Sequence, residues 1–116
     1  VSLEDYGMAS DVVLERVIKR QISSWLKKFV AEHDDAHYWM PAGNLFSSSL
    51  PDYMLLYKGS LICIEAKSSV GKQTELQKVV AAKIVAAGGK YIIIRDKAGI
   101  DGLSEQVSWQ GSTQFN

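Results

Sequence analysis

Two short apolar runs, Asp52–Lys58 (DYMLLYK) and Leu61–Lys67 (LICIEAK), flank a Lys58-Gly59-Ser60 turn signal, and this pairing constrains the fold more than any other stretch of the chain. Strand-length runs rich in aliphatic and aromatic residues, interrupted by a glycine turn, form a β-hairpin. Side chains alternate along a strand, so Leu61, Cys63, Glu65 and Lys67 share one face while Ile62, Ile64 and Ala66 share the other. In a tight antiparallel pair the head of the first strand lies across from the tail of the second. Asp52, which follows Pro51, is therefore expected opposite the Glu65–Lys67 segment, and three charges converge at one end of an otherwise apolar hairpin.

That convergence has two readings. A surface hairpin can end in an ion pair worth about 0–1 kcal/mol, with no chemistry attached. Alternatively, hard divalent cations such as Mg²⁺ bind through a few carboxylate oxygens and keep several waters. Asp52, Glu65 and the Ala66 carbonyl can supply such ligands. A bound ion would activate water and polarise a phosphoryl oxygen, while Lys67 orients the nucleophile and offsets developing negative charge. This is the donor set of metal-assisted phosphodiester cleavage.

Downstream come a polar loop, Ser68-Ser69-Val70-Gly71-Lys72-Gln73, and Thr74-Glu75-Leu76-Gln77, which opens a helix running to about Ala87. Gly88-Gly89 ends that helix, and the apolar strand Tyr91–Ile94 follows. The order Pro-Asp, spacer, Glu-Ala-Lys, glycine loop, Thr-x-x-Gln, helix, glycine and apolar strand resembles the PD-(D/E)XK nuclease superfamily, and within it the virus-type replication-repair nuclease (VRR-NUC) domain. The resemblance spans Glu15 to about Arg95.

The resemblance implies a Mg²⁺- or Mn²⁺-dependent DNA endonuclease leaving 5′-phosphate and 3′-hydroxyl ends. It places the metal-binding Asp on Asp52, the metal-binding Glu on Glu65, the catalytic Lys on Lys67 and the helix-borne Gln on Gln77. Glu15, on the first helix, matches a further acid of the metal site. The chain departs from the family at Ser47-Ser48-Ser49-Leu50, where a glycine often precedes Pro-Asp, and at Ala66, where a larger aliphatic is usual. Standalone members of this size are associated with viruses and with structure-selective cutting. A branched DNA such as a Holliday junction, met in the cytoplasm of a host or bacterial cell, is thus the implied substrate. Symmetric cutting of two strands needs two sites and one short chain carries one, so a homodimer is expected.

Several residues keep a bland reading beside the functional one. Thr74 and Gln77 have the spacing of a capping box, in which each side chain bonds the other's backbone amide. Asp11 to about Ala31 reads as an amphipathic helix through Leu14, Ile18, Ile22, Trp25 and Phe29. Glu15 borders its apolar face and also suits the helix dipole as a surface residue, while Arg16, Lys19 and Arg20 are expected to point elsewhere. His33 and His37 have Zn²⁺-like spacing only if helical, and they fall where that helix fades. Cys63 has no internal disulfide partner and reads as a small core residue.

At 116 residues the chain is one domain, with a core over about residues 11–96 and a C-terminal extension over 97–116. No apolar run approaches the ~20 residues of a membrane span. With 13 Lys and Arg against 13 Asp and Glu, nucleic-acid binding must rest on local patches rather than bulk charge. Lys19-Arg20, Lys27-Lys28 and Lys72 are the phosphate-contact candidates, and Lys72, in the loop between Lys67 and Gln77, borders the proposed cleft. His37–Met40 reads as a first strand, and the loop beyond Pro41 to Ser49 as exposed. Ile100–Val107 reads as a short helix, with Trp109 and Phe115 as isolated anchors beyond it. The expected fold class is α/β: a mixed four-stranded sheet with elements in the order α-β-β-β-α-β.

Overall fold

The computed structural model describes residues 13–42 and 49–109. The helix start expected at Asp11, most of the loop before Ser49 and the anchor at Phe115 lie outside the described residues. The elements are α1 (Glu15–Glu32), β1 (Ala36–Trp39), β2 (Tyr53–Tyr57), β3 (Ser60–Ala66), α2 (Glu75–Ala86), β4 (Lys90–Ile94), α3 (Lys97–Asp101) and α4 (Leu103–Ser108). The fold is mixed α/β. Its four-stranded sheet has spatial order β1-β2-β3-β4, with β1, β2 and β3 antiparallel and β4 parallel to β3.

The hairpin forms because Lys58 and Gly59 both adopt positive φ, 52° and 80°, in a two-residue turn closed by the Tyr57–Ser60 pair. Such a turn matches the twist of the flanking strands. Tyr53 pairs with Ile64, so Asp52 falls opposite Glu65 one step further along the register. The parallel step from β3 to β4 requires a crossover, which α2 supplies.

α1 drives Ile18, Ile22, Leu26 and Phe29 into one sheet face, where they meet Leu55, Ile62, Ile64, Ala66, Ile92 and Ile94. Each such side chain taken from water contributes roughly 1.5–3 kcal/mol. An aromatic ladder continues along this helix: Trp25 stacks on Phe29 at 4.7 Å, Phe29 on His33 at 4.0 Å, and Tyr57 meets Phe29 edge-on at 5.0 Å.

α2 packs against β4 on the opposite face, with its first turn held to Lys67 through Gln77 and the chain beyond its C-terminus returning at Gly89 beside Leu61. Its C-terminus is a Schellman motif: Gly88 has φ 100°, its N–H donates to the Val85 carbonyl, and Gly89 N–H donates to the Ile84 carbonyl. A Cβ on Gly89 would stand 2.8 Å from Ile84 Cγ2 and 3.3 Å from the Leu61 carbonyl, so a side chain there would lift the helix off the strand.

The segment expected as one short helix is divided at Gly102 into α3 and α4, and it is built into the core through Leu103 and Val107. Lys90, 7% exposed, fastens it: the ammonium donates to the carbonyls of Gln106 at 3.1 Å, Val107 at 3.4 Å and Trp109. A cation is well placed against the carbonyl end of a helix. Desolvation lowers the Lys90 pKa. No helix among the described residues is long and apolar enough to cross a membrane.

Candidate active site

The charged end of the hairpin is built from four elements. Asp52, at the head of β2, accepts a hydrogen bond from the Ala66 N–H at 2.8 Å through Oδ2, which continues the strand pairing with a side chain. Glu65, near the tail of β3, is 2% exposed and turned to the α2 face. Its Oε1 accepts a 2.6 Å hydrogen bond from the Tyr91 hydroxyl on β4, and its Oε2 is buried without a hydrogen-bond partner. Desolvation raises the Glu65 pKa, opposed by the Tyr91 hydrogen bond and by Lys67, with Asp52 adding repulsion. Burial and Glu65 together raise the Tyr91 pKa, so its hydroxyl stays protonated and serves as a donor.

Gln77 forms the capping box its spacing offered and also reaches Lys67. Its Oε1 accepts from the Thr74 N–H at 2.8 Å while Gln77 N–H donates to Thr74 Oγ1 at 3.1 Å, completing the capping box. The same Oε1 accepts from Lys67 Nζ at 3.1 Å. The helix start therefore fixes the amide, and the amide fixes the lysine. A carbonyl oxygen has two lone pairs, which permits both bonds. Lys72 stands exposed on the loop that carries Gly71, and Arg95 donates to the Ser68 and Gly71 carbonyls of that loop.

α1 is fastened beside this cluster at two points. Val13 N–H donates to Ser69 Oγ at 3.0 Å, and Ser69 N–H donates to the Val13 carbonyl at 3.1 Å. One turn further on, the buried Tyr53 hydroxyl donates to the Lys19 carbonyl at 3.0 Å and shares a 2.9 Å hydrogen bond with Ser23. These ties overturn the expected direction of Lys19. Instead of pointing away, its Nζ lies 3.4 Å from Glu15 Oε2 and 3.7 Å from Asp52 Oδ1, because residues four apart share one flank of the helix and Tyr53 turns that flank to the hairpin end. Glu15 is thus linked to Asp52 through Lys19.

Sequence reasoning missed Tyr91 and Gln73, and offered Lys19 as a phosphate contact without its ion pair to Asp52. Tyr91 was legible as the one hydroxyl-bearing residue in an isoleucine strand, on the face that Glu65 shares. The i, i+4 pairing of Glu15 and Lys19 was legible, but not the turn of that flank toward Asp52. Gln73, whose amide favours the charged form of Glu65, had no signal beyond its place in the loop.

The donor set suits a hard divalent cation in chemistry: two carboxylates and a strand backbone, with one carboxylate oxygen buried and unpartnered. Among the described residues no three His, Cys, Asp and Glu side chains gather as a metal cluster. His33 and His37 fall on different elements. His33 caps α1 with Nδ1 2.8 Å from the Phe29 carbonyl, and His37 stacks with Trp39 on β1. Cys63 is buried as a free thiol. No protein-family model, curated protein or solved structure matches the chain.

Proposed function

We propose that this chain is a metal-dependent DNA endonuclease of the PD-(D/E)XK type, similar to VRR-NUC domains, which hydrolyses phosphodiester bonds. The observation that carries the reading is Glu65: a carboxylate 2% exposed, with one oxygen pinned by Tyr91 and the other unpartnered, beside Asp52 and a lysine held by Gln77. Burying a carboxylate oxygen without a fully formed hydrogen bond is costly; the neighbouring Gln73 amide offsets part of that cost, and a cation would offset the rest.

Asp52, Glu65 and the Ala66 carbonyl would hold Mg²⁺, or Mn²⁺ in its place, with Glu15 as a further acid nearby. A cation there supplies Lewis-acid polarisation of the phosphoryl oxygen and makes a bound water more acidic. Lys67 Nζ donates hydrogen bonds toward the attacking water and the phosphoryl oxygens, where negative charge develops. Gln77 acts through Lys67 as a positioning residue, and Lys72 contacts the backbone beyond the scissile bond. With zero net charge, selectivity falls to local contacts and DNA shape. A homodimer acting in the cytoplasm on branched DNA, such as a four-way junction, fits one site per chain.

Incubation with Mg²⁺ and plasmid, flap and four-way-junction DNA tests the reading. Cleavage of the junction, with 5′-phosphate ends and none in EDTA, is expected. Ca²⁺ should support binding without cutting. Robust cleavage in EDTA would overturn the metal mechanism. A second reading, an inactive nucleic-acid-binding module of the same fold, is favoured by the engagement of both Asp52 oxygens, one by Ala66 and one by Lys19. That module binds every substrate and cuts none. A partner-binding α/β domain without a nucleic-acid role neither binds nor cuts.

A further inference from the structure

Lys19 is the feature of the site that the nuclease chemistry above leaves unused. Its ammonium lies between Glu15 Oε2 at 3.4 Å and Asp52 Oδ1 at 3.7 Å. The placement is built rather than incidental: Tyr53, 3% exposed and next to Asp52 in sequence, bonds both the Lys19 carbonyl and the Ser23 hydroxyl, and so clamps this helical turn against the head of β2. Both Asp52 oxygens are thereby engaged, Oδ2 by the Ala66 amide and Oδ1 by the ammonium. The amide is fixed in the sheet. The ammonium ends a flexible stem, and the Lys19 side chain is 44% exposed.

We infer that Lys19 is an exchangeable counter-cation: it offsets part of the charge of Asp52 and Glu15 while the site is empty of metal, yields Oδ1 to the entering divalent cation, and then holds a DNA phosphate. The inference rests on the nuclease reading and deepens it. Two cations competing for one carboxylate oxygen repel each other, so metal must displace the ammonium before it can bind. Once displaced from Asp52, the ammonium keeps Glu15 Oε2, now 3.4 Å away, as its neighbour on the helix, and the phosphate backbone is the anion that the substrate brings within reach of its flexible stem.

The two roles give effects of opposite sign on removing the charge. Lys19→Met should bind Mn²⁺ in the absence of DNA more tightly than wild type, by roughly threefold to tenfold, read from the free-ion electron paramagnetic resonance signal. The same variant should bind junction DNA more weakly in Ca²⁺, with the log–log salt slope reduced by about one. A merely structural role would weaken both. Lys19→Arg, which keeps the charge, should restore the wild-type salt slope. Wild-type protein that takes up no Mn²⁺ overturns the metal reading and this inference with it. Mn²⁺ uptake by wild type that Lys19→Met leaves unchanged or weakens overturns the counter-cation role alone, and unchanged DNA affinity overturns the phosphate role.

Discussion

α1 and α2 flank the same sheet and hold to it in opposite ways. α1 buries Ile18, Ile22, Leu26 and Phe29, whereas no residue of α2 is fully buried and Leu76 and Val79 stand about half exposed, at 54% and 48%. At about 25 cal/mol per Å² of apolar surface, the first helix is a major source of stability and the second a minor one. What keeps α2 in place is its ends, the capping box at Thr74 and the Schellman turn at Gly88. The contrast teaches that α2 is less a packing element than a support that carries Gln77 to Lys67. Elements that serve a site are often drawn from the weakly packed part of a fold.

The largest effect should come at Asp52, at the hairpin end that α1 reaches through Lys19. Asp52→Asn keeps an oxygen to accept the Ala66 amide but removes the charge, so Mg²⁺-dependent cleavage should fall on the order of 10³-fold while the melting temperature changes little. Wild-type cleavage by this variant would detach the site from the hairpin end. Next in size is the direct comparison of the helices by urea denaturation. Leu26→Ala in α1 should cost about 2–5 kcal/mol, and Val79→Ala in α2 under about 0.5 kcal/mol. Equal losses would erase the distinction.

A smaller, two-sided effect sharpens it. Gln77→Ala removes half of the capping box and the hold on Lys67, and should cost about 1 kcal/mol in stability and roughly tenfold in cleavage rate. Thr74→Ala should cost similar stability with a smaller rate loss, since the amide can still reach Lys67. Identical rate losses would reduce Gln77 to a cap.

The smallest effect is a pH dependence. Burial raises the Glu65 pKa above its ordinary 4.5 in the folded chain, so the folded state binds more protons than the unfolded one just above that value. Stability therefore falls as pH rises from about 4.5 through the raised folded value. Without metal, Glu65→Gln should melt higher than wild type at neutral pH, with the gap closing as pH approaches 4.5. A gap that is constant with pH would show that Glu65 is not the destabilising group.

The hairpin and its charged end were legible because period-two alternation and a turn signal fix register over a few residues, and register alone brings Asp52 to Glu65. The capping box was legible for the same local reason. Lys19 was not, because its direction depends on a hydroxyl 34 residues away, Tyr53, gripping α1. The Thr74–Gln77 start and the Gly88-Gly89 stop marked α2 as a helix but not how shallowly it packs, with no residue of it buried. Residues 97–109 gave a weak signal, since α3 and α4 are only 5 and 6 residues long and owe their place to Leu103, Val107 and one buried ammonium.

Cys63 turns the shallow packing of α2 into something that can be timed. The thiol is fully buried on the β3 face that α2 overlies, and burial pushes its pKa up to about 11, so a closed molecule presents almost no thiolate at neutral pH. Reaction with an alkylating reagent must wait for an opening. As the chain's single cysteine, it yields one clean rate, and reagent concentration separates how often that face opens from how long it stays open. The chain thus carries its own stopwatch for the motion of the helix that supports Lys67.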